Sequence, residues 1–183
     1  MADFYYLLSS LPMLRANQGI PMSTGQFMEL CRPHLSPGQF DVLTAVASIP
    51  REDSDFKAGS APAEWEIFET CLRNQIVKSR PVKNADSSQF LKPEKDYFSS
   101  IERGVQEAFS RDNPLEREKR LDAIRLEFLD DLESSHIFDF DALCVYKLKL
   151  LLLEKQSRWD QTHGMTNFDA VIVAASTINT DYK

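Results

Sequence analysis

Apolar positions recur at intervals of three and four along most of the chain, and no segment sustains the alternation expected of a half-buried strand. From Pro62, the side chains Trp65, Phe68, Cys71, Leu72 and Ile76 step along one helical face to about residue 79. Pro93 opens a further predicted helix, with Tyr97, Phe98, Ile101, Val105, Ala108 and Phe109 on one side. The segment after Asn113 reads as a charged helix buried through Leu121, Ile124, Phe128 and Leu132. The longest element predicted spans about 140–163 (FDALCVYKLKLLLLEKQSRWDQTH), closed by Gly164 in the left-handed conformation that ends many helices. A last short helix is expected over about 168–178, capped by Thr166 or Asn167.

Local punctuation supports this division. STGQF (23–27) and SPGQF (36–40) each place Ser at a helix N-cap and Gln three positions on, so that the side chains satisfy the first free amides reciprocally. The predicted helices are about 24–32, stopped by Pro33, and about 37–48, stopped by Pro50. Asn113, Pro114 and Glu116 repeat the same logic before the charged helix. Residues 50–62 (PREDSDFKAGSAP) and 79–93 (SRPVKNADSSQFLKP) are polar, proline-bounded loops. The sum is an all-α fold, a single helical domain over 1–183 of about six to eight helices around a long central helix near 140–163.

The opening stretch, DFYYLLSSLPML (3–14), carries one charge, Asp3. It has no basic residue before the apolar run, and Pro12 interrupts it, against the pattern of a secretory signal. It also falls short of the roughly 20 apolar residues of a membrane span. It reads as a helix from Phe4 to about Pro12, made to be buried in the core or against a partner.

Charge and composition narrow the function. The 183 residues include 21 Lys and Arg against 28 Asp and Glu, a net charge of −7. That balance disfavours nucleic acid, whose phosphates are bound by Lys and Arg, and disfavours adsorption to an anionic membrane. Cys31, Cys71 and Cys144 are widely spaced and odd in number, as for reduced core thiols in the cytoplasm. The six glycines are isolated, so there is no phosphate-binding loop. Cys31 with His34 supplies two zinc ligands where a site needs three or four, and His136, His163, Cys71 and Cys144 lack metal spacing. Glu127, Asp130, Asp131 and Glu133 read as a solvated helix face. No cofactor and no catalytic constellation is expected.

The central helix carries the sharpest hypothesis. At 100° per residue, Cys144, Val145, Leu148, Leu152 and Trp159 form one stripe, and Tyr146, Lys149, Leu153, Gln156 and Asp160 another. A third mixes Leu143, Lys147, Leu150, Leu151, Glu154 and Arg158. The plain reading is a core helix whose Lys147 and Arg158 snorkel outward. The sharper one makes Lys147, Leu150, Leu151, Glu154 and Arg158 a partner-binding stripe.

The segments YYLLSSLPML, PMSTGQFMELCRPHLSPGQFDVL and LCVYKLKLLLLEKQSRWDQTHGMTNFDAVI resemble an uncharacterised bacterial family encoded alongside V-type ATPases. That family in turn resembles a shortened form of the V-type ATPase central-stalk socket, the component lettered C in bacteria and d in eukaryotes. The link rests on Tyr5 and Tyr6 in an N-terminal helix and on Tyr146, Glu154 and Arg158 in a late helix before Gly164. The socket of such ATPases is all-helical, sits between the rotor shaft and the membrane ring, and has no chemistry of its own. The resemblance implies a cytoplasmic, non-enzymatic accessory protein of the ATPase, reaching the inner membrane only through that complex and contacting the central-shaft subunits and rotor ring. The chain is short for the whole socket and would supply one wall of it. The alternatives are a helical adaptor or assembly chaperone, and a small enzyme with dispersed residues.

Overall fold

A computed structural model describes residues 4–15, 19–50, 55–80, 87–94, 96 and 98–159. Seven α-helices form among them: α1 (Phe4–Ser10), α2 (Thr24–Cys31), α3 (Pro37–Ala45), α4 (Ala61–Ser79), α5 (Ser99–Phe109), α6 (Pro114–Ser135) and α7 (Phe140–Ser157). Short 3-10 turns occupy Arg32–His34 and Ser87–Phe90, and no strand occurs among the described residues. The expected Gly164 cap and the helix over 168–178 lie outside them.

The predicted caps are present. The backbone N–H groups of Ser23 and Ser36 donate to the Gln26 and Gln39 side chains, at 2.8 and 3.1 Å. Each Ser hydroxyl accepts the reciprocal amide bond, so both boxes are closed. Asn113 Oδ1 accepts from Leu115 N–H at 2.8 Å, with Pro114 at the first position of α6. Asp139 Oδ1 caps α7 through Ala142 N–H at 2.9 Å.

Two boundaries depart most from expectation: α7 ends at Ser157 rather than near 163, and α5 starts late. Helix α5 begins at Ser99 rather than at Pro93. The segment before it is held by Asn74 of α4, nearly inaccessible to solvent. Its Nδ2 donates to the Lys92 carbonyl (2.7 Å) and its Oδ1 accepts from Lys92 N–H (3.0 Å). Asn74 Nδ2 also donates to Glu94 (3.0 Å) and the Cys71 thiol to the Asp96 carbonyl (3.2 Å), so side chains of α4 hold this segment where the sequence pattern predicts a helix start.

Helices α4, α5 and α6 pack on one another, and α7 packs against α1, α2, α3, α4 and α6. Between α4 and α6 the rings of Phe68 and Phe128 stack at 3.9 Å, with Phe98 edge-on to both. Phe27 of α2 stacks on Tyr146 of α7 at 5.1 Å. Every residue from Ala142 to Leu150 is buried. More than two turns without an exposed face make α7 the spine, surrounded by the rest of the chain. Tyr146 O–H donates to the Pro12 carbonyl at 2.9 Å, tying the N-terminal segment to that spine.

Candidate functional site

The predicted partner stripe on α7 is divided by the fold. Leu150 is fully buried, and Lys147 is buried with its ammonium turned inward. Lys147 Nζ donates to the carbonyls of Leu43 (2.7 Å) and Thr44 (3.1 Å), the free acceptors at the C-terminal end of α3. Glu154, half-buried, accepts from Thr24 N–H at 2.6 Å at the start of α2. Leu151 is half-buried, and Arg158 is exposed beyond the helix end. The expectation of one open stripe is therefore corrected. Helices α2 and α3 cover this flank of α7, so Lys147 and Glu154 engage their ends and Leu150 enters the core.

A buried ionic cluster lies between α4, α6 and α7. Arg125 makes a two-pronged pair with Glu69, both contacts 2.9 Å, and reaches Asp122 Oδ1 at 2.9 Å. Lys155 donates to the same Asp122 oxygen at 2.8 Å. Glu69 and Asp122 are fully buried. Burial opposes the charge on Arg125, but its bonds to Glu69 and the nearby carboxylates override this and hold its pKa above the ordinary guanidinium value. Its acceptors face its own cations except Asp122 Oδ2, which is buried without a hydrogen-bond partner, and Arg73 and Arg125 line an adjoining groove of about 420 Å³.

His136, Asp139 and Asp141 bring ligand-type atoms within 4.8 Å of one another. Spacing alone passed over this grouping, which the α6–α7 turn assembles. Its members already serve the fold. His136 Nδ1 lies 2.8 Å from Asp139 Oδ2, Asp139 caps α7, and Asp141 Oδ1 accepts from Ala61 N–H at the start of α4 (3.2 Å). His163 lies outside the described residues.

What the described surface offers is apolar contact. Five of its nine exposed large hydrophobic side chains gather at one end: Tyr5, Tyr6, Met13, Ile137 and Phe138. Tyr6 is 81% exposed, Met13 73% and Ile137 67%. The Tyr5 ring lies 4.6 Å from that of Phe138, tilted by 55°, and meets Tyr6 edge-on at 5.5 Å. Between the two groups runs a groove of about 390 Å³, floored by Leu8, Leu11, Ala142 and Tyr146. Tyr5, Tyr6 and Met13 lie in the opening stretch that the sequence sets against the core or a partner; Ile137 and Phe138 had no signal, because nothing in the pattern tells that residues 4–14 lie beside 136–138.

A family model described as a protein of unknown function (DUF2764) matches residues 72–177. The chain belongs to the DUF2764 family. The DUF2764 match begins within α4 and takes in α5, α6 and all of α7, so it contains the ionic partners of Glu69 and the Ile137–Phe138 side of the groove. The segment 4–14 that forms the other side precedes it. No curated protein and no solved structure matches the chain.

Proposed function

We propose that this DUF2764 protein is a non-catalytic, all-helical accessory subunit of a bacterial V-type ATPase. It would stand in the central stalk, where the rotor shaft is linked to the membrane ring. The observation that carries this reading is the convergence of Tyr5, Tyr6, Met13, Ile137 and Phe138 on one exposed face of a rigid helical scaffold. Large rimmed apolar patches of this kind mark interaction sites on soluble folds. The likeness of the chain's two ends to a family encoded beside V-type ATPases supplies the partner. The use of His136, Asp139 and Asp141 in pairing and capping supports a mechanical role.

The test is co-expression of the full chain with the V-type ATPase subunits of the same organism, followed by purification through a tag on the shaft. A stoichiometric band in the assembled complex is expected, weakened by the double substitution Tyr6→Ser with Ile137→Ser. Absence of the chain from both the finished complex and its sub-assemblies overturns the proposal. Presence on partial assemblies alone assigns it instead to assembly.

A further inference from the structure

From the groove between the C-terminal half of α4 and the N-terminal half of α6, we propose that this protein binds a short acidic segment of a protein partner, with carboxylates on either side of an apolar side chain. The groove, of about 420 Å³, is lined by α4 residues from Thr70 to its C-cap Arg80 and by α6 residues from Glu118 to Arg125, with Phe90 and Lys92 at one lip. Four cations line it, Arg73, Arg80, Lys92 and Arg125, against one carboxylate, Glu118. On a chain of net charge −7 this is a local reversal of sign.

The neighbouring carboxylates are already engaged. Glu118 accepts from Lys155 Nζ at 2.5 Å, and Glu69 lies between Arg125 and Arg73. Asp122 bonds Arg125 and Lys155 through Oδ1 and does not line the groove. Glu94, beyond the lip, is paired with Lys78 at 3.1 Å. Two of the cations, by contrast, have donors to spare. Arg73 spends only Nε on Glu69, so its Nη groups have no partner among the described residues, and the Arg80 guanidinium has none there either. A guanidinium offers paired N–H donors in the geometry of a carboxylate.

Spacing selects the shape of the ligand. Arg73 and Arg80 stand seven positions apart, about 10 Å along the axis of α4. Ile76 and Val77 lie between them, and Leu121 faces them from α6. A single small anion held at one guanidinium leaves the other and the apolar middle uncovered. The lip is also open to solvent, with Phe90 60% exposed, unlike a pocket that encloses most of a small molecule. A polypeptide segment with Glu or Asp flanking an apolar residue covers all three. Larger polyanions, nucleic acid or an anionic lipid surface, meet the repulsion of the acidic remainder of the chain.

The test uses the full chain, isotope-labelled, and a blocked Glu/Leu peptide of about ten residues, longer than the Arg73–Arg80 span whether helical or extended. Its Gln/Leu and Lys/Leu counterparts, inorganic phosphate and phosphatidylglycerol vesicles are the comparison probes. The Glu/Leu peptide should bind saturably, more weakly as salt rises, with amide shifts centred on Ile76, Val77, Arg80, Phe90 and Leu121. Arg80→Glu should weaken it at least roughly tenfold, as a like charge set across an interface does. Phe90→Ser should weaken it several-fold without changing its salt dependence. The proposal is overturned if the Gln/Leu or Lys/Leu peptide binds equally well, if phosphate alone binds as tightly, or if the shifts fall elsewhere or are absent. It is also overturned if the vesicles bind through these residues, or if sedimentation reveals self-association abolished by Arg80→Glu. Movement of the amide signals of residues 160–183 by Arg80→Glu in the free chain would make that segment the occupant and overturn it too. Each of these failures leaves the stalk proposal standing, because that rests on the face formed by Tyr5, Tyr6, Met13, Ile137 and Phe138.

Discussion

At the scale of the residue, Lys147 illustrates how a side chain's role depends on what covers it. Its ammonium holds two carbonyls at the end of α3 from a position with 6% exposure. Lys147→Glu places a carboxylate against those acceptors and should cost about 3–5 kcal/mol or unfold the chain, as breaking a buried charged contact does. Lys147→Met keeps the stem and should cost only about 1–3 kcal/mol, the penalty of acceptors left without a donor. Arg158→Glu, on an exposed site, should stay within about 0.5 kcal/mol. Urea denaturation of the three single variants measures the difference, and equal effects at 147 and 158 would contradict the inward placement of Lys147. Arg125→Leu offers a second check at this scale. It leaves Glu69 and Asp122 buried, with Arg73 and Lys155 as their remaining cations, and should destabilise by about 3–5 kcal/mol. The additional change of Glu69 to Gln, which removes one of the stranded charges, should recover part of that loss.

At the scale of the element, the approach of α5 to α6 is set by Gly104. A Cβ at that position would stand 2.7 Å from Ile124 Cδ1 and 3.1 Å from its Cγ1, closer than packed carbons come. Replacing a mid-helix glycine by alanine ordinarily gains about 1 kcal/mol. Here Gly104→Ala should fail to stabilise and should lower the melting temperature. In an Ile124→Val background, which lacks Cδ1, the same substitution should be less harmful. A double-mutant cycle in thermal unfolding measures this coupling, and strict additivity would show that the helices have room to part. The same scale explains the helix ends. Capping boxes at Ser23 and Ser36 depend on residues three apart and were legible. The late start of α5 was not, because the segment before it is held by Asn74, eighteen residues from Lys92 and twenty from Glu94 along the chain.

At the scale of the whole molecule, three thiols and a phenol lie inside the fold, and their titration ties stability to pH. Burial pushes Cys31 up to about 12 and Tyr146 up to about 12, and it raises Cys71 and Cys144 as well. At neutral pH these groups are protonated both folded and unfolded, so they impose no pH dependence. As pH rises past the ordinary thiol value, the unfolded chain loses protons that the folded chain keeps. Stability should then fall, by up to about 1.4 kcal/mol per pH unit for each such group. Urea midpoints at about pH 7.5 and about pH 10.5 test this, and the drop should shrink in Cys144→Ala. The same burial predicts that all three cysteines resist thiol reagents in the native state at neutral pH; rapid native labelling of Cys31 or Cys144 would contradict the packing around α7. By itself, the sequence determined the all-helical class, the caps, the buried faces of α4 and α6 apart from their charges, and the central place of α7. Each of these is written in contacts between residues two to four apart, or in the periodicity of one helix. Only the tertiary structure decided that Glu69 and Asp122 share Arg125, and that Lys147 closes α3 instead of facing a partner. It alone also set Tyr5 and Met13 beside Phe138 and Ile137. Apart from Asp122 and Arg125, which are three apart on α6, these pairings join distant positions, 56 residues apart for Glu69 and Arg125 and 104 for Lys147 and Leu43, and they depend on which helix flanks meet, a choice that no local spacing encodes.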